Sequence, residues 1–403
     1  MRIALFHNLP SGGAKRTLYE QARRLAARHE IDVYTLSSAD HAFADLRPFT
    51  SQHHSIPFAP LPLLRSPWGR VNQAFRLADL YRLRRPLRQI ARQIETGGYD
   101  LLFVHPCRLE AASTLLHYVH GRLPTIYYCQ EPLRRFYESD PPRPYDDDNF
   151  PRRRLLNRVD PLPPLYRSLL KGIDRRNVRR AGLVLVNSTF MQTAVRRIYQ
   201  VEAEVSYHGV DVEWFRPLAR PKKRMILSVG SLTPLKGFDF LIEAVGHMPP
   251  AERPPLVIAS NFQNPPEREY LTQLAADLDV DLELRGSVSD EQLVQLYNET
   301  AVTAYTPIRE PFGLVPLEAM ACGSPVVAVR EGGVQESVLH EETGLLVERD
   351  PLRFAQALRQ ILADESTAAR YGENGRRHVT QHWTWDRAVE TLADHLDSVS
   401  GRQ

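Results

Sequence analysis

Cysteine is scarce: Cys107, Cys129 and Cys322 are the only three in 403 residues, far apart and without CxxC or CxH spacing. That excludes a disulfide framework and a structural zinc site with the usual ligand spacing. Long apolar runs are missing as well. Nothing approaches the roughly 20 residues that cross a bilayer, and the opening stretch Met1–Phe6 is broken by His7 and Pro10 before it could serve as the apolar part of a secretion signal. The expected setting is a reducing one, the cytoplasm. No internal repeat or low-complexity tract occurs. The composition is that of a folded globular protein, 43% hydrophobic and 25% charged. A chain of this length exceeds one ordinary core, so two domains are expected.

Acid is short in one half and base in the other. Residues 1–215 carry 32 Lys and Arg against 21 Asp and Glu, a net of +11, and the remainder carries 19 against 27, a net of −8. Such a basic half fits a surface that meets polyanions or anionic lipid, and an Arg-rich, Pro-rich chain fits adaptation to heat equally well.

Along the chain, short apolar runs alternate with helical spacing. Ile3–Phe6 reads as a strand, Pro10–Gly13 as a loop with Ser11 as a candidate cap, and Leu18, Ala22, Leu25 and Ala26 as one helix face before a strand at Ile31–Leu36. Strands follow at Leu101–Val104, Thr125–Tyr128 and Leu183–Val186, with helix-like stretches at Leu77–Ile94 and Asp174–Arg180. The segment from Ser139 to Pro164, dense in Pro, Asp and Arg, reads as an exposed loop. A second succession gives strands at Met225–Val229, Leu256–Ala259, Asp281–Leu284, Val302–Tyr305 and Pro325–Val329, with helices at Glu291–Tyr297 and Leu314–Ala321. The prediction is α/β: two Rossmann-like domains with parallel sheets facing across a cleft, at 1–215 and 216–384, and a C-terminal helix at 385–403 as a candidate to pack back on the first domain.

Parallel α/β domains bind ligands at the carboxyl ends of their strands. The stretch Glu310–Gly323, EPFGLVPLEAMACG, places two carboxylates, Glu310 and Glu318, around a Phe312-Gly313 turn that opens a helix. Gly313 leaves room for a ligand, so backbone amides at the helix start can meet a phosphate, and Glu318 can reach the vicinal hydroxyls of a ribose. Read as structure alone, the pair would be two solvated helix-end carboxylates.

The chain resembles the family-4 retaining glycosyltransferases of the two-domain B fold. Carrying the resemblance are E-x7-E, then AMACGSPVV, Gly332-Gly333-x-x-Glu336 and TGLLV at Thr343–Val347. SGG at 11–13, VNS at 186–188, HGVD at 208–211, VGSLTPLKG at 229–237 and RGSVSDEQL at 285–293 follow the family's order over nearly the whole chain. The resemblance implies a transferase that retains anomeric configuration, uses a nucleotide-sugar as substrate and needs neither metal nor other cofactor. It implies that Lys236 contacts the donor diphosphate, Glu310 the donor sugar and Glu318 the ribose. The backbone of Phe312, Gly313, Leu314 and Val315 would hold phosphate oxygens, Gly230 and Ser231 would line the donor site, Arg285 would border the base, and Gly12 and Gly13 would face the diphosphate or acceptor. A fixed lysine and oriented amides would stabilise the charge that develops on the leaving diphosphate.

Two departures stand out. Ser231 occupies the place of a usual arginine, and Gln130, in YYCQEP, stands where related sequences have histidine; Gln130, Glu131 or His105 are candidates to replace it. The Asp146-Asp147-Asp148 run lies in a Pro- and Arg-rich stretch and reads as solvated charge rather than a metal site. The expected partners are the donor and a sugar, lipid-linked or small-molecule acceptor, with no nucleic acid. Peripheral contact with anionic membrane is expected through Arg76–Arg92 and Arg152–Arg180; in the first of these Leu77, Leu80, Tyr81, Leu83, Leu87, Ile90 and Ala91 give an apolar side kinked at Pro86. A nucleotide-sugar 2-epimerase, a dinucleotide oxidoreductase and a non-catalytic sugar-nucleotide scaffold are the competing readings. The E-x7-E run disfavours the first, and the absence of GxGxxG after the first strand disfavours the second.

Overall fold

In the computed structural model the described residues are 1–64, 71–138, 141–145, 160–262 and 264–401. The chain forms two compact units: Met1–Ser139 with Leu155–Tyr207 and Ala388–Gln403, and Asp140–Arg154 with His208–Arg387. The change of unit falls between Tyr207 and His208, ahead of the division expected at 215/216.

The first unit holds seven parallel strands: β1 (Arg2–Asn8), β2 (Glu30–Leu36), β3 (Gln52–Ile56), β4 (Leu101–Cys107), β5 (Thr125–Cys129), β6 (Leu183–Val186) and β7 (Glu204–Val205), in the order β3-β2-β1-β4-β5-β6-β7. Strands β1, β4, β5 and β6 are buried along nearly their whole length, because helices cover both faces of the sheet. On one face the helix Asn72–Thr96 contributes Leu83, Leu87, Ile90 and Ile94 to the core. The other face receives Leu18, Ala22 and Leu25, together with Val389, Leu392, Ala393 and Leu396 from the C-terminal helix Trp385–Ser400.

Three expectations are corrected here. Ser11 caps nothing: the helix Gly13–Leu25 starts from Gly12, without a side-chain cap. Most of the apolar side expected on Asn72–Thr96 packs inward, through Leu80, Leu83, Leu87, Ile90 and Ala91, while Tyr81 stays exposed, and Pro86 lies inside the helix. Among its described residues, the stretch expected to be exposed loop is partly buried and partly helical. Arg143 is 5% exposed, and Leu162 already begins the helix Leu162–Val178.

The second unit holds six parallel strands: β8 (Lys223–Val229), β9 (Leu256–Ser260), β10 (Leu282–Gly286), β11 (Thr300–Tyr305), β12 (Val326–Val329) and β13 (Gly344–Val347), in the order β10-β9-β8-β11-β12-β13. The helix Phe238–Gly246 buries Phe238, Leu241, Ile242 and Val245 against it, each such side chain contributing about 1.5–3 kcal/mol of transfer free energy. Local chemistry sets the helix boundaries. Ser289 accepts from Gln292 N at 3.2 Å while the Gln292 side chain accepts from Ser289 N at 2.9 Å, a reciprocal cap that starts Asp290–Glu299. In both sheets the strand order reverses beside the first strand, between β1 and β4 and between β8 and β11. Such reversal points, at the carboxyl ends of the strands, are where parallel α/β sheets carry their ligand sites.

Candidate functional site

At the reversal point of the second sheet, the loop after β8 carries Gly230, Ser231 and Lys236, the last in the one-turn helix Pro234–Lys236. The loop after β11 carries Glu310 and leads into the helix Leu314–Ala321. Lys236 Nζ lies 2.7 Å from Glu310 Oε1, with side chains 21% and 26% exposed. Residues 74 apart in sequence thus form a partly open ion pair. Such a pair contributes at most about 1 kcal/mol to stability, so its reachability by a ligand is the more informative property. A Cβ at Gly230 would stand in ordinary contact with the Lys236 stem, at 3.4 Å, so the two residues are neighbours in the site.

The helix Leu314–Ala321 begins at Gly313, at φ 102, with no side-chain cap and no acid in its first turn. Its first amides, those of Leu314 and Val315, belong to the group that has no partner within a helix, and Pro316 has no N–H at all. A Cβ on Gly313 would stand 2.8 Å from the Tyr305 hydroxyl. Phe312 is 2% exposed and packs edge-on against His208 and tilted against Trp383, at 5.2 and 5.6 Å. Burial pushes the His208 imidazole far down, to about 3, so it is neutral at physiological pH. Glu318, 8% exposed, accepts from the Tyr297 hydroxyl at 2.9 Å.

The glycine pair of the GGxxE motif shapes the same loop. Gly333 N donates to the Glu310 carbonyl at 3.0 Å. A Cβ on Gly332 would come within 2.3 Å of that oxygen, and one on Gly333 within 2.3 Å of the Pro311 carbonyl. Arg309, next to Glu310, sits at φ 44, a left-handed conformation rare for a residue with a side chain. Its amide points to Glu331 Oε2 at 3.3 Å, and Arg349 holds Glu331 at 2.8 Å while donating to the carbonyls of Thr306 and Pro307. Glu331 and Arg349 therefore buttress the Glu310 loop. Neither has a sequence signal beyond ordinary charge.

Arg285 stands apart from this group. It lies on β10, the edge strand two places from β8, and its guanidinium is drawn to Glu283 at 2.6 Å. Alternate residues of a strand share a face, which brings positions 283 and 285 together.

In the first unit, Gly12 (φ 139) and Gly13 open the helix that follows β1. His105 on β4 is fully buried, its ring stacked on Tyr128 at 5.4 Å. Gln130, just past β5, donates to the Ala14 carbonyl at 3.0 Å, and its Nε2 lies 3.5 Å from His105 Nδ1. These two residues are brought together beside the helix start. Lys15 was missed. It is 2% exposed, with Nζ 3.2 Å from His7 Nε2; in sequence it reads as an ordinary surface lysine. The Asp146–Asp148 run lies outside the described residues.

Two doubly wound domains, the second with a lysine, carboxylates and uncapped helix amides at its reversal point, define a glycosyltransferase of the B fold. The chain belongs to glycosyltransferase family 4: the family's model matches residues 11–214, and the model for glycosyl transferases group 1 matches residues 211–378. Human alpha-1,3/1,6-mannosyltransferase ALG2 is 28% identical over 270 residues, an alignment covering 60% of this chain and 65% of that protein. Sucrose-phosphate synthase from Thermosynechococcus elongatus superposes with a TM-score of 0.74 over the full length of both chains at 20% identity. Anabaena HepE, solved in complex with UDP-glucose, gives 0.70 at 21% identity, covering 99% of this chain and 100% of its own.

Proposed function

We propose that the chain transfers a hexosyl group from a nucleotide-sugar to an acceptor hydroxyl, with retention of anomeric configuration and without a metal. The second unit would hold the donor and the first the acceptor. The observation that carries this is the Lys236–Glu310 pair beside the uncapped amides of Leu314 and Val315. A diphosphate set among these groups meets a fixed cation and two N–H donors, and Glu310, released from the lysine, turns to the sugar hydroxyls. Glu318 takes the ribose. The bond from C1 to the phosphate oxygen breaks, its electron pair staying on the diphosphate, and the acceptor oxygen bonds to C1 on the same face, its proton passing to the departing phosphate. Stabilising that developing charge is where a preorganised site gains most. The UDP-glucose complex of HepE supports a sugar-nucleotide as the donor type. The excess of base in residues 1–215 supports a peripheral contact of the first unit with anionic membrane, which suits a lipid-linked acceptor.

Replacing Lys236 with Ala tests the reading. Turnover is expected to fall by roughly two to three orders of magnitude, the cost of one lost donor to a developing oxyanion, with the unfolding midpoint unchanged. Calorimetry with UDP and GDP should show Glu318→Ala weakening the nucleotide more than Glu310→Ala does. Full activity in the lysine variant would remove the assignment, and inversion at C1, read by proton NMR of the product, would remove retention.

A further inference from the structure

Arg143 lies in chain order between two stretches of the first unit, yet it packs within the second. Its side chain is 3% exposed. Nη1 donates to Asp239 Oδ2 at 2.8 Å, Nε to Glu267 Oε2 at 3.1 Å, and Nη2 to Glu267 Oε1 and to the Pro234 carbonyl, both at 3.3 Å. Glu267 is fully buried and also accepts from the Tyr145 hydroxyl. The guanidinium lies 5.3 Å from the centroid of the Tyr270 ring.

What these contacts hold is the turn that presents Lys236. The Pro234 carbonyl also accepts from Gly237 N at 3.2 Å, the bond that closes the one-turn helix Pro234–Lys236. Asp239 sits in the first turn of Phe238–Gly246. One guanidinium therefore grips the chain two residues before Lys236 and three residues after it, and ties both grips to Glu267 on the helix Pro265–Asp277. A buried ion pair adds little net stability, since apolar side chains of similar volume often do as well. Its distinctive property is geometry: the planar fork fixes several acceptors at set distances.

We propose that Arg143 is a positioning residue for Lys236, setting the turn so that the ammonium stands where a donor diphosphate needs it. The proposal rests on the reading of Lys236 as the diphosphate contact. It is tested with R143M and R143K, each made in the wild-type and K236A backgrounds, by amide hydrogen exchange and by calorimetry with UDP and GDP. R143M is expected to speed exchange at 236–238 roughly tenfold, with the amides of β8 and β11 unchanged. It should weaken nucleotide roughly tenfold beside Lys236 but less than about twofold in K236A, the non-additivity of two residues acting through one contact. R143K should recover part of the loss, keeping the charge without the fork. Unchanged exchange at 236–238, or equal weakening in both backgrounds, would overturn the proposal. Should K236A bind nucleotide as wild type does, or wild type bind neither nucleotide, the donor reading fails instead, and the exchange measurement alone decides whether Arg143 sets the turn. R143K serves the same comparisons if R143M does not fold.

Discussion

Lys15 puts a cation in a nearly dry place. Its Nζ lies 3.2 Å from His7 Nε2, and among the described residues no carboxylate forms an ion pair with it. Burial is the main cause that pulls its ammonium down to about 8, with Asp40 and Asp45 pulling weakly the other way. His7, fully buried beside the lysine and near His105, His53 and His41, is pushed well below the ordinary histidine value. The sign follows from linkage. Between about pH 8 and the ordinary lysine value the unfolded chain holds the proton more firmly than the folded one, so stability rises with pH across that window; below it the cost of the buried charge is present in full. Lys15→Met should therefore stabilise the protein near pH 7 by on the order of 1–3 kcal/mol and flatten the rise between pH 8 and 10. Urea unfolding at a series of pH values reads both. A loss of stability at pH 7 would mean that Lys15 has an anionic partner in solution.

At the scale of elements, the loop bearing Glu310 depends on a glycine it never touches in sequence. Gly332 adopts φ 73, and a Cβ there would meet the Glu310 carbonyl at 2.3 Å. Gly121 adopts a similar φ, 76, with nothing near its Cβ position. Gly121→Ala should cost about 1–2 kcal/mol, the left-handed conformation alone. Gly332→Ala should cost roughly 2–4 kcal/mol and depress turnover as well, since the backbone of the Glu310 loop must shift. Chemical denaturation and an activity assay of the two variants separate conformation from contact; equal losses would show that the loop yields freely. Much of this was legible in the sequence. The strands with continuous apolar runs read directly from the sequence, and the predicted helix Leu314–Ala321 has the bounds that the structure shows, because Gly313 and the run after it mark a helix start. Strand β3, QHHSI, is an edge strand of polar residues and carries no apolar signal. Strand β13 opens on Gly344, a residue depleted in strands, so its stretch reads as the TGLLV motif rather than as an element. In the site, Lys236, Glu310 and Glu318 stood in recognisable motifs. Arg143, Glu331 and Arg349 did not, since they act through carbonyls and carboxylates brought close only by folding.

Across the whole molecule the charge imbalance asks where the first unit's arginines point. With Leu83, Leu87 and Ile90 of Asn72–Thr96 in the core, that helix offers solvent Tyr81, 72% exposed, among Arg82, Arg84, Arg85 and Arg88. It packs against Leu162–Val178 through Leu80, Tyr166 and Leu170. The neighbouring Leu165 and Leu169 are 48% and 46% exposed, and Arg167, Arg175 and Arg176 are exposed along the same helix. Exposed leucines set among arginines match an anionic bilayer surface, where each basic side chain contributes roughly 1 kcal/mol and the apolar tips enter the headgroup layer. The protein should therefore sediment with vesicles containing phosphatidylglycerol at low salt, release as salt screens the charges, and ignore vesicles of phosphatidylcholine alone. Leu165→Ser with Leu169→Ser should weaken vesicle binding roughly tenfold, by removing the apolar contribution, while turnover on a water-soluble acceptor stays unchanged, because neither leucine belongs to the candidate site. Equal sedimentation of wild type and the double variant would assign the attachment to charge alone, and no sedimentation at low salt would leave the basic half with a role away from lipid.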